Sequence, residues 1–105
     1  MFVLLALTLA TPAQPPVSLS TITGGMLVSL CSKSEGTQLD PCASYILGVA
    51  DTLQIGRVTC RPQSDAATLQ TLTVVRRYLH DHPELWDRHP AFLVRDALKG
   101  VFPCR

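Results

Sequence analysis

Four cysteines, three histidines and one carboxylate within an apolar run are the residues whose types could carry chemistry in this chain. Cys31, Cys42, Cys60 and Cys104 could act as a nucleophile, as metal ligands or as disulfides. A nucleophilic cysteine needs a free thiol, a nearby base and an orienting group. An even number of cysteines in a short chain instead gives each thiol a structural partner. No spacing is Cys-x-x-Cys, so a thioredoxin-like site or a zinc knuckle has no local signature. His80-x-His82 could open a metal site, but no third ligand follows at helical spacing. His80, His82 and His89 read instead as exposed histidines beside Asp81 and Glu84 around a helix break. Asp51, between Val49 and Leu53, has no carboxylate partner in sequence; it reads as the edge of a buried stripe, tied to a neighbouring loop or an arginine. The expectation is a chain with no catalytic residue, metal or cofactor, whose function is binding.

The whole chain sets bounds on that binding. Its 105 residues have room for one domain, and 47% of them are hydrophobic. A formal net charge of +1, with Arg76, Arg77, Arg88, Arg95 and Lys99 interleaved with Asp81, Asp87 and Asp96, argues against a nucleic-acid partner. The opening MFVLLALTLATPAQPP resembles the end of a secretory signal peptide. Its apolar run, residues 2–10, is shorter than the roughly 20 residues of a bilayer span, so no stable membrane insertion is expected. Thr11 and Ala13 suit cleavage before Gln14. The division read from sequence is a signal segment over residues 1–13, a flexible lead-in over 14–22 and a helical domain over 23–105. Paired cysteines in an exported chain place it in an oxidising compartment, the periplasm or the outside of the cell.

Periodicity then supplies the elements that position these residues. A helix over Gly24 to Ser32, capped by Thr23, shows an apolar face of Met26, Leu27 and Leu30, widened by Val28 and Cys31. The central helix starts at an Asp40 cap with Pro41 in the first position, and Gly56 marks its end. Cys42, Tyr45, Ile46, Val49 and Leu53 form its buried stripe, and Gly48 implies another helix crossing closely over it. Beyond the break at Pro62, a third helix runs from Ser64 or Asp65 to about His80. It buries Leu69, Leu72, Val75 and Leu79, with Val74 and Tyr78 at the flanks and Arg76 and Arg77 pointing elsewhere. A connector between Pro83 and Pro90 leads to a last helix reaching about Lys99, with Leu93 or Val94, Ala97, Leu98 and Val101 inward and Arg95 outward. No period-two pattern is sustained. The fold expected is all-α, a small bundle of four to five helices.

Helix length selects the disulfides. Along a continuous central helix, Cys42 and Cys60 stand about 27 Å apart, whereas a disulfide holds its Cα atoms within about 7 Å. That excludes Cys42–Cys60 and, with it, Cys31–Cys104. The short loop between the first two helices favours an antiparallel hairpin, which pairs Cys31 with Cys42 and leaves Cys60 for Cys104.

The landmarks also have an order. Cys31 is followed by Cys42, Tyr45, Ile46, Gly48, Val49 and Asp51, then by Cys60 and Pro62. Tyr78, Leu79, His82, Pro83 and Glu84 come next, and Phe102, Pro103 and Cys104 close the chain. Over residues 23–104 this resembles the Rap/Tai family of bacterial immunity proteins. The resemblance implies a small periplasmic helical protein, not an enzyme, that binds a secreted peptidoglycan amidase effector of type VI secretion and blocks its active-site cleft. It also implies a homodimer, as several members form. Tyr45, Gly48, Asp51, Tyr78 and Pro83 would then be scaffold. The partner-binding residues are expected in the connector over residues 81–89, where Glu84, Trp86 and Asp87 place an aromatic anchor amid charge. Alternatively, Trp86 only caps the bundle. A helical adaptor or chaperone-like protein with a different partner would use the same scaffold.

Overall fold

Each helix begins where a side chain takes up an amide that the helix itself leaves unpaired. Thr23 accepts from the Met26 amide at 3.2 Å, Asp40 from Ala43 at 2.7 Å and Ser64 from Ala67 at 3.1 Å. At the last helix His89 Nδ1 accepts from the Ala91 amide at 3.1 Å, so in the neutral ring Nε2 carries the proton and faces Ser20 Oγ at 3.0 Å. The helices so started are α1 (Gly24–Ser32), α2 (Pro41–Ile55), α3 (Asp65–Asp81) and α4 (Pro90–Val101), with a single 3-10 turn at Pro83–Leu85. The computed structural model describes residues 3–6, 18–34 and 40–105. Most of the expected signal segment, the start of the lead-in and residues 35–39 lie outside them. Among the described residues there is no strand, and no helix is long and apolar enough to cross a membrane. The all-α bundle is as expected.

In α3 and α4 the expected Leu72, Val75, Leu79, Leu93, Val94, Ala97 and Leu98 are buried, whereas in α1 and α2 the buried face is shifted from the expected stripe. In α2 the inward residues are Cys42, Ala43, Ile46 and Ala50, while Tyr45, Val49 and Leu53 are only half-buried against that core. In α1 Leu27 is buried, with Val28 and Cys31 packed beside it, and Met26 is 58% exposed. Leu69 of α3 and Val101 of α4 are likewise exposed rather than inward. Small residues explain the rotation: Ala43 and Ala50 are fully enclosed, and close helix approach favours them over bulky neighbours. Gly24 marks the tightest approach. A Cβ there would stand 2.5 Å from Leu93 Cδ1 and 3.2 Å from the Trp86 Cα. Gly48, expected under a crossing helix, instead has nothing within 4 Å of a Cβ and faces open space.

Covalent ties hold the arrangement. Cys31 pairs with Cys42 and Cys60 with Cys104, at Cα separations of 4.8 and 4.9 Å, the connectivity that helix length selects. Beside the second bridge the Cys60 amide donates to the Phe102 carbonyl at 2.9 Å, and Phe102 itself is buried in the core. Arg76 does not point away from the bundle. Its guanidinium lies 2.9 Å from Ser34 Oγ, 3.6 Å from Cys42 Sγ and 3.7 Å from the Asp40 carboxylate, over the first disulfide.

Candidate functional site

Asp51 is built into the scaffold. Its carboxylate accepts from Arg61 at 2.6 Å, and the same guanidinium donates to Thr71 Oγ1 at 3.3 Å. Gln54 holds the Arg61 backbone from both sides, accepting from its amide at 2.7 Å and donating to its carbonyl at 3.3 Å. Arg61 thus staples the loop after α2 to both α2 and α3. A carboxylate held by a guanidinium is a poor candidate for proton transfer. Among the described residues, no three His, Cys, Asp or Glu side chains gather as metal ligands.

The connector over residues 81–89 is also partly structural. The Trp86 indole donates through Nε1 to the Leu79 carbonyl at 2.7 Å, and its ring is half-buried. Its backbone carbonyl accepts from the Gly25 amide at 2.9 Å, while the Arg88 carbonyl accepts from Gly24 at 2.7 Å. Two amides at the N-terminus of α1 are therefore satisfied by the connector, which explains why Gly24 must approach it so closely. Pro83 opens the 3-10 turn, and the Tyr78 ring leans on His82 with centroids 4.4 Å apart. Glu84 and Asp87 are exposed. A hydrogen bond with His82 Nδ1 at 2.9 Å pulls the Glu84 carboxyl below its ordinary value of 4.5. The connector offers carboxylates to solvent, but its indole already has a partner within the bundle.

A second surface was not singled out by the sequence. Between α2 and α4 lies a groove of about 590 Å³ whose wall includes Leu19, Tyr45, Val49, Leu53, Phe92 and Arg95. The open space over Gly48 is part of it. On the other side of Tyr45 a smaller hollow of about 110 Å³ is lined by Ile22, Met26 and Leu30. Desolvation raises the Tyr45 phenol above its ordinary pKa of 10.0, so it is neutral at physiological pH. Among the described residues Arg95 is the one ion in the groove wall; its Nε donates to Asp96 Oδ1 at 3.1 Å and its Cζ stands 5.0 Å from the Phe92 ring centroid. This geometry can bind an apolar group and an anion. Ser44 and Thr52 add hydroxyls to the groove wall, and among the described residues no carboxylate, histidine or cysteine lines it. The signal in the sequence was an excess: Met26, Leu30 and Phe92 are apolar residues beyond what one inward stripe per helix requires.

No curated protein and no solved structure matches the chain. A protein-family model, that of the Rap1a immunity proteins, matches residues 23–104, from the cap of α1 to the last cysteine. With that match running through all four helices and both disulfides, the chain belongs to the Rap1a immunity protein family.

Proposed function

We propose that this protein works in the periplasm, where it binds a peptidoglycan amidase delivered by type VI secretion and occludes its active-site cleft, so that the producing cell survives. The family match over residues 23–104 carries this reading. The physical properties of the chain support it. Inhibition by occlusion needs a surface that is already in its bound shape, because every side chain or loop ordered on binding subtracts from affinity. Two disulfides and the Arg61 staple fix the helices in that way. Folding that depends on disulfides also suits an oxidising compartment.

The test is reconstitution with an amidase encoded beside this chain. Co-expression is expected to yield a stoichiometric complex, loss of peptidoglycan cleavage by the amidase, and survival of cells only when this protein is sent to the periplasm. If every such amidase stayed active and unbound in its presence, the reading would fall. A homodimer belongs to the same proposal and is read by light scattering, where a mass of twice the chain is expected. A monomeric mass would remove the dimer while leaving inhibition to be judged separately.

A further inference from the structure

The two disulfides offer themselves to solvent differently. Cys60 and Cys104 are both exposed, whereas in the first bridge Cys31 is half-buried and Cys42 is fully enclosed. Cys31 lines a hollow of about 230 Å³ together with Val28, Ser32, Arg76 and Trp86. Charge separates the same two sulfurs. Cys42 is the second residue of α2, where the unpaired amides of the first turn favour a thiolate. The Arg76 guanidinium stands 3.6 Å from Cys42 Sγ and is oriented to donate to it. Cys31 lies in the last turn of α1, where the helix carbonyls disfavour negative charge. The Asp40 carboxylate, 3.7 Å from the guanidinium, offsets part of the positive charge at Cys42. The arginine and the helix amides act at the sulfur itself.

We propose that Cys31 is a site of thiol exchange: a small thiolate enters the hollow and attacks Cys31 Sγ, and Cys42 leaves as a thiolate held by Arg76. The attacking thiol first gives its proton to water. Its sulfur then bonds to Cys31 as the Cys31–Cys42 bond breaks, and the electron pair of the broken bond stays on Cys42. This step involves no net oxidation. A second thiolate, attacking the small molecule's sulfur in the mixed disulfide, releases Cys31 and completes a two-electron reduction of the bridge. Exchange is governed by access to the attacked sulfur and by the pKa of the leaving thiol. Here both select the same direction. In Cys60–Cys104 both residues are exposed, so access selects neither sulfur. The site does not depend on what the protein binds, and it is tested without a partner.

The probe is reduced glutathione added to the intact, disulfide-bonded protein. Samples quenched in acid at early times, alkylated in denaturant and mapped by mass spectrometry show which cysteine carries glutathione. At the first bridge the adduct is expected on Cys31 over Cys42 by about tenfold or more, while Cys60 and Cys104 share it within about threefold. Arg76→Gln should slow attack on the first bridge about threefold or more, and Arg76→Lys should restore much of the rate. Asp40→Asn, which keeps an oxygen to cap α2, should hasten the same step. The rate at Cys60–Cys104 should be unchanged in all three. An arginine that only held the helices together would act with the opposite sign, since its loss would loosen the bridge and speed reduction. Glutathione on Cys42, or equally on both cysteines of the first bridge, would overturn the assignment. So would an unchanged or faster first step in an Arg76→Gln variant that retains the parent's helical circular dichroism. If that variant does not fold, Asp40→Asn decides, and a rate at or below that of the parent would overturn the role given to charge at Cys42.

Discussion

Arg57 holds a backbone conformation that its own side chain opposes, with φ at 57°. It follows the capping Gly56, and together they close α2 in a Schellman arrangement: the Val58 amide donates to the Leu53 carbonyl at 2.9 Å and the Arg57 amide to Gln54 at 3.1 Å. The left-handed position of that motif favours glycine, yet the glycine stands one residue earlier. Arg57→Gly is expected to stabilise the protein by about 0.5–1 kcal/mol, seen as a higher urea midpoint at unchanged slope. An unmoved midpoint would show that the arginine side chain compensates elsewhere. The sequence marked the end of the helix correctly through Gly56, but which residue turns left depends on how the chain leaves toward Cys60. Asp51 presents a similar division. An arginine or loop partner could be anticipated from a carboxylate beside a buried stripe, but its identity could not, because Arg61 reaches it only once the loop has doubled back. The ion pair is lopsided, with Arg61 13% and Asp51 65% exposed in their side chains. Removing Asp51 should therefore cost under about 1 kcal/mol. Arg61→Ala, which also strips Thr71 of a donor, should cost about 1–3 kcal/mol. Equal losses in chemical denaturation would contradict this. At Glu84 the effect is one of pH. Its folded pKa is lowered by the His82 hydrogen bond, so whatever it contributes is present above 4.5 and is lost as pH falls through the lower folded value. Carboxyl chemical shifts should titrate below 4.5 in the parent and return toward it in His82→Ala.

At the scale of the helices, existence and limits were legible while orientation was less so. The Thr23 and Asp40 caps, Pro41 in the first position and the breaks at Pro62 and Pro83 placed the elements, because these are local effects of backbone chemistry. The face turned inward depends on what packs opposite. In α2, apolar residues cover more than one stripe, and choosing the bulkier Tyr45–Val49–Leu53 side favours the wrong phase once neighbouring helices come close enough to require Ala43 and Ala50. The same displacement hid the groove, since residues assigned to the core were its walls. The two glycines make the point testable. Gly24→Ala should destabilise by about 1–3 kcal/mol, because Leu93 can shift but the Trp86 backbone at 3.2 Å cannot readily do so. Gly48→Ala, into open space within a helix, should stabilise by up to about 1 kcal/mol. Thermal unfolding of the pair should move in opposite directions. A shared direction would mean that helix propensity, not packing, sets the difference.

For the whole molecule, the disulfides join segments that the core joins weakly. α1 is 9 residues long, short for an independent helix, and its ends are held by the connector carbonyls and by Cys31–Cys42. The terminal segment is held by Phe102 and by Cys60–Cys104. Sequence separations of 11 and 44 give contributions of roughly 3 and 4 kcal/mol on the chain-entropy model. Their total approaches the net stability of a small domain, about 5–15 kcal/mol. Reduction is therefore expected to shift the urea midpoint sharply downward, and the two bridges should fail in different places. A Cys31→Ala, Cys42→Ala variant is expected to accelerate amide exchange first in α1, including Met26 and Leu30 on the apolar surface. A Cys60→Ala, Cys104→Ala variant should accelerate it first around Cys60 and Phe102. Uniform acceleration in both would mean that the molecule opens only as a unit and that neither bridge guards a separate segment. If the local pattern holds, losing the first bridge loosens one flank of the surface around Tyr45 before the fold itself is lost.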